Sequence, residues 1–163
     1  MVCYITFSID GRELMINENK PEDIKIYTNS NKWRQLKILT NNLGYKLITI
    51  CSDNSRSQKQ YKLYRVNYFA HNPSWDIKNS SYSNCIDHID RDKTNNKIEN
   101  LRVVTHQENN FNRGAKGCHY NKQRKKWIAQ IKRGNKRFSL GSFTNENDAK
   151  NAYKKAKQTI HKI

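Results

Sequence analysis

The sequence predicts an α+β chain built from small modules, none large enough for one extensive core. Three observations lead there. Through the first 70 residues, short β-branched and aromatic runs alternate with polar breaks. Thr105 and Glu108 stand three positions apart, the capping-box spacing that starts a helix. The last third carries three short alternating segments and then an amphipathic helical pattern.

The elements follow in order. Residues 1–42 form a β-rich segment without an assigned role, in which VCYITFSI, DIKIYT and KWRQLKIL are separated by NENKPED and TNSNK. GYKLITICSDNSRSQKQYKLYRV reads as two strands joined by a polar loop at Asp53–Gln60. NYFAHNP reads as a helical turn stopped by Pro73, and residues 76–84 as a polar loop. CIDHI is a strand. NRGAKG, Asn112–Gly117, is a linker by composition. GCHYNKQRKKWIAQIKRGNKRFSLGSF gives three strands, with turns near Asn121–Lys125 and at Arg133–Asn135. NENDAKNAYKKAKQTIHKI closes the chain as a helix with Ala149, Ala152, Tyr153, Ala156 and Ile160 on one face.

Composition narrows the function. The 163 residues carry a formal net charge of +17 and a sequence pI near 9.8, with mean hydropathy -1.04. An excess of this size suits a polyanion, most often nucleic acid. It is uneven: residues 114–163 hold +12 and residues 1–113 hold +5. Cys3, Cys51, Cys85 and Cys118 are scattered, with no C-x-x-C, so neither a cysteine-based zinc site nor a disulfide framework is expected. MVCYITFSID lacks the pattern of a secretory leader, and no apolar run reaches membrane length. The expectation is an intracellular protein in a reducing compartment. The bias toward Asn, Lys and Ile is what AT-rich codons encode.

CIDHIDRDKTNNKIENLRVVTHQENN, Cys85–Asn110, concentrates the chemistry. Hydrolysis of a phosphodiester needs a group that takes a proton from water, which a neutral histidine can do at neutral pH. It also needs charge stabilisation at phosphate, which a divalent cation on hard oxygen ligands supplies. Asp87 and His88 point to opposite sides of a strand. The helix that starts at Thr105 brings Asn109 onto an element able to pack across that strand. The plainer reading is a solvated Asx-rich hairpin in which His88 is a satisfied, half-buried residue.

The pattern DHID, DKTNNKIENLRVVT, EN resembles the HNH nuclease motif of the ββα-metal superfamily, in the form seen in phage and viral homing endonucleases. The upstream YRVNYFAHNP is similar to that family's HRLVAEAFIPNP, so the likeness covers about residues 43–110 and implies an endonuclease domain at 43–113. It implies that His88 is the general base and that Asp87 and Asn109 ligate one Mg²⁺ or Mn²⁺, with no zinc. It also implies that Asn100 positions the base-bearing strand. Tyr64 stands where relatives often carry histidine. His71, His106 and His161 have no partner pattern. An inactive descendant that keeps the fold without the chemistry is the alternative.

The tail resembles the AP2 DNA-binding domain found beside HNH modules, on GCHYNK, KWIAQIK, KRFSLGSF and DAKNAYKKA. That likeness implies a three-stranded sheet in the major groove with the helix behind it. Strand alternation turns Cys118, Trp127, Ala129, Ile131, Phe138 and Leu140 toward the helix. It turns His119, Lys122, Arg124, Gln130, Lys132, Arg137 and Ser139 toward double-stranded DNA. A basic solvated face is the bland alternative. The combined expectation is a site-preferring DNA endonuclease, monomeric or weakly dimeric, with no membrane partner. A non-catalytic DNA-binding regulator and an RNA-binding protein stand as the other readings.

Overall fold

The computed structural model describes residues 2–52, 57–114 and 117–160. The chain divides into two compact units, Met1–Asn109 and Asn110–Ile163. Both mix helix with antiparallel sheet.

The first unit opens with β1 (Tyr4–Ile9), β2 (Arg12–Asn17), β3 (Ile24–Tyr27) and β4 (Trp33–Gln35), an antiparallel meander. The sequence expectation passed from VCYITFSI directly to DIKIYT and omitted β2. Asp10-Gly11 explains the omission: both residues have positive φ, 50° and 79°, which makes a tight two-residue hairpin turn. A second sheet holds β5 (Leu39–Thr40), β6 (Lys46–Cys51) and β7 (Gln58–Lys62). Of the expected Asp53–Gln60 loop, Asp53–Arg56 lie outside the described residues.

Helix α1 (Leu63–His71) follows β7 at once. A strand was expected to continue here to Val66. Leu63, Val66, Asn67 and Ala70 instead recur at helical spacing, and all four are buried. Asn72 and Pro73 end the helix. Its apolar face meets Leu14 and Ile16 of β2, Ile24 and Ile26 of β3, and Ile48 and Ile50 of β6 in one core. Full burial of each such aliphatic side chain stabilises by about 1.5–3 kcal/mol. The first 42 residues therefore share a core with the helix that leads into the site.

At the edge of that core Asp10 accepts the Tyr61 hydroxyl at 2.5 Å. Lys78 reaches it at 2.9 Å and Lys59 at 3.5 Å. Hydrogen bonding from Tyr61, then from Lys78, holds the Asp10 carboxyl below its ordinary value of 3.8. A depressed carboxyl stabilises the fold above the unfolded pKa and loses that contribution as pH falls through the folded one. Asp10→Asn is expected to lower Tm at neutral pH. Melts taken at falling pH should show the gap to wild type closing only below 3.8; a gap that persists there would contradict the assignment.

The rest of the unit is the antiparallel pair β8 (Cys85–His88) and β9 (Leu101–Val104), joined through a 3-10 turn at Ile98–Asn100. Helix α2 (His106–Asn112) follows and runs across the boundary between the units. Its capping box forms as read. The Glu108 carboxylate accepts the Thr105 backbone N–H at 2.7 Å and its hydroxyl at 2.8 Å, and the Glu108 N–H donates back to Thr105 Oγ1.

The second unit is β10 (Cys118–Asn121), β11 (Lys126–Arg133) and β12 (Lys136–Phe143) in one antiparallel sheet, with α3 (Glu146–Ile160) packed on it. Asn145 caps α3 by accepting the Asp148 N–H at 2.8 Å. Ala149 is fully buried, and Ala129 and Ile131 lie beneath the helix. Two expectations need correction. Gln130 pairs with Ser139 but Ala129 pairs with Gly141, so Leu140 is the extra residue of a β-bulge and has no place in the simple alternation. Phe138 is 41% exposed although its partner Ile131 is 2% exposed, because β12 is an edge strand and β11 is the central one. Of the expected linker, Ala115 and Lys116 lie outside the described residues. At Gly117, φ is +65° and an added Cβ would lie 1.9 Å from the Tyr153 ring.

Candidate active site

The Asn- and Asp-rich loop between β8 and β9 spends its polar groups on itself. Asn100 Oδ1 accepts the Asp90 N–H at 3.0 Å, and Asn100 Nδ2 donates to Asp90 Oδ1 at 2.9 Å and to the Asn95 carbonyl at 2.8 Å. Asn95 Nδ2 donates to Asp90 Oδ2 at 2.7 Å. Asp92 accepts the Thr94 N–H and hydroxyl. These donors hold both carboxyls below their usual range, the Asn95 amide foremost at Asp90 and the Thr94 N–H foremost at Asp92. Asn100 itself is buried and ties the two ends of the loop together.

His88 ends β8 and is buried, as is Asp87. Strand alternation separates them. His88 pairs with Leu101 and faces an aromatic group: the Tyr64 ring meets it edge-on at 5.0 Å, and Tyr45 lies 6.5 Å away. Burial pushes the Tyr64 hydroxyl up to about 12, so it stays protonated at neutral pH. Asp87 pairs with Arg102 on the other side, and Asp87 Oδ2 accepts from Arg102 Nη2 at 2.8 Å and Nε at 3.1 Å.

One residue escaped the sequence reading. Asn96 is buried, with Oδ1 3.1 Å from His88 Nε2. Its Nδ2 donates to the Thr94 carbonyl at 3.3 Å, which orients the amide so that the oxygen faces the imidazole. His88 Nε2 is then the donor, and in the neutral ring the lone pair sits on Nδ1. Asn67, fully buried on α1, donates to the Asn96 carbonyl at 2.8 Å and anchors the arrangement to the core. The sole sequence signal was the Asn95-Asn96 doublet eight residues after His88.

Asn109 is half-buried on α2. Among the described residues no three His, Cys, Asp or Glu side chains gather as a metal cluster. His71 Nδ1 contacts the Asn67 carbonyl at 2.9 Å, a helix-internal role. The His106 ring meets Tyr82 edge-on at 5.1 Å. His161 lies outside the described residues.

In the second unit the register gathers the expected reading residues. Gln130 pairs with Ser139 and Lys132 with Arg137, and His119 pairs with Ile128 on the same side of the sheet. Lys122 and Arg124 lie in the exposed turn between β10 and β11.

Residues 65–111 match the family described as HNH endonuclease. The matched stretch begins in α1, ends in α2, and contains Asp87, His88, Asn96, Asn100 and Asn109. It supports a nuclease, a hydrolase acting on DNA, of a kind that generally uses a divalent metal. No curated protein and no solved structure matches the chain. No helix among the described residues is long and apolar enough to cross a membrane.

Proposed function

We propose that the chain is a site-preferring, homing-endonuclease-like DNA endonuclease, with His88 as the general base. Residues 43–113 cut, and the AP2-like residues 114–163 read. The observation that carries this is the buried imidazole whose tautomer is set by Asn96, inside the stretch that matches the HNH family.

Asp87 and Asn109 would hold one Mg²⁺ or Mn²⁺. A carboxylate and an amide carbonyl are hard oxygen donors and fit either ion, with water and phosphate oxygens completing the shell. When bound, such an ion stabilises charge on the phosphate and on the leaving 3′ oxygen. The remaining work falls to the chain. His88 donates Nε2–H to Asn96 and takes the proton of the attacking water on Nδ1. Asn100 holds the loop that carries Asn96. Arg102 fixes the Asp87 carboxylate in place.

Asn96→Ala would leave a buried imidazole N–H without its acceptor, which costs about 1–3 kcal/mol. Cutting at saturating DNA should slow by about 10–100-fold, with DNA affinity unchanged. Asn96→Asp keeps an acceptor and should retain more activity. Imidazole ¹⁵N spectra should show His88 protonated at Nε2 in the natural protein and in exchange between tautomers in Asn96→Ala. Identical spectra would remove Asn96 from this role.

One observation favours a second reading, a non-catalytic sequence-specific regulator that retains an inactive HNH fold. Asp87 Oδ2 already takes two Arg102 N–H groups, and an incoming cation must share or displace them. Metal dependence of cutting on a DNA the protein binds separates the two readings.

A further inference from the structure

The aromatic group beside His88 carries two cations. Tyr45 packs on Tyr64 with ring centroids 5.7 Å apart. The Lys62 ammonium lies 5.1 Å from the Tyr45 ring centre, and the Lys93 ammonium lies 4.8 Å from it. Lys62 also lies 5.9 Å from the Tyr64 ring. The two lysines come from different places, the last residue of β7 and the loop after β8. Measured from the shared ring, their charges are within about 10 Å of each other.

Their partners set them apart. Lys25, Lys46, Lys59 and Lys78 of the same unit each reach a carboxylate. Among the described residues neither Lys62 nor Lys93 makes an ion pair with one. Lys93 Nζ donates to the Leu43 carbonyl at 3.2 Å. Cation–π contact holds each ammonium in position. It does not neutralise either charge. Two like charges on one ring repel until an anion joins them.

We infer that Lys62 and Lys93, both held on Tyr45, form a phosphate-binding site for backbone phosphates of the DNA strand lying against His88. Lysine serves here as a point charge suited to a phosphodiester oxygen without reading sequence. The site rests on the nuclease reading only for the identity of its polyanion. It would set the position of the strand at the cutting unit, while the basic tail supplies most of the general affinity.

The test uses the full chain and a duplex of random sequence. Binding is measured against salt for the natural protein and for Lys62→Gln/Lys93→Gln. A control, Lys25→Gln/Lys46→Gln, removes two carboxylate-paired lysines of the same unit. Each lost phosphate contact makes the slope of log K against log salt shallower by about 0.9. The test variant should lose about 1.8, and the control almost nothing. Cutting at saturating DNA should also slow by at least about 10-fold. An unchanged slope, or an equal loss in the control, overturns the site. Should the natural protein fail to cut while the slope still drops, the phosphate site stands and the nuclease reading falls. Should it cut while the slope holds, the reverse is established.

Discussion

Gly117→Ala should unfold the second unit and remove most of the chain's affinity for DNA. The backbone at Gly117 is left-handed, φ +65°, and an added methyl would lie 1.9–2.2 Å from three carbons of the Tyr153 ring. One of these is Cγ, at the root of the ring, so a small rotation of the tyrosine gives no relief. Overpacking alone costs about 1–3 kcal/mol or more, and the left-handed conformation adds about 1–2 kcal/mol for a residue with a Cβ. A unit of this size has little stability in reserve. Since residues 114–163 hold +12 of the net +17, loss of that unit should weaken binding by at least about 100-fold. Gly134→Ala is the internal comparison: its φ is +59°, but nothing lies within 4 Å. It should cost the conformational term alone. Equal melting temperatures and equal DNA affinities for the two variants would refute the account.

His88→Ala should abolish metal-dependent cutting while leaving DNA binding in place. Positioned general bases contribute about 10²–10⁴-fold. The assay is supercoiled plasmid at low salt with Mg²⁺, Mn²⁺ or EDTA. Relaxed or linear product that needs metal and disappears in the variant establishes the base, and the product form separates nicking from double-strand cutting. The imidazole is also packed against Tyr64, so His88→Asn should be measured beside it to retain a polar group facing Asn96. A variant that folds, binds and still cuts at the natural rate would transfer the role elsewhere. No product from a natural protein that demonstrably binds the plasmid would favour the regulator.

Local signals carried much of the architecture into the sequence. The capping box at Thr105, the Arg133–Asn135 hairpin turn and the alternation of β11 are short-range patterns, and each has its counterpart in the structure. What depended on tertiary context was harder to read. Leu63 and Val66 suit a strand or a helix, and only the shared burial of Leu63, Val66, Asn67 and Ala70 decides for helix. The bulge at Leu140 shifts one strand against another by a residue, which no single-strand pattern records. At the site, Asp87 and His88 could be picked out by type and order. Asn96 could not, since one amide in a run of them gains its role from a contact with His88 and another with Asn67.

The loop beside His88 owes its shape to amides bonded to carboxylates and carbonyls, with Asn100 joining its ends. These bonds give the loop internal partners for its polar groups. The proposed ligands, Asp87 on β8 and Asn109 on α2, lie outside this loop, so on the nuclease reading cation binding need not be coupled to folding it. On that reading, an ion reaching Asp87 still has to share or displace the two Arg102 N–H groups. The imidazole, again on the nuclease reading, is held by Asn96 before an ion or substrate binds, and chelation should silence cutting without lowering Tm.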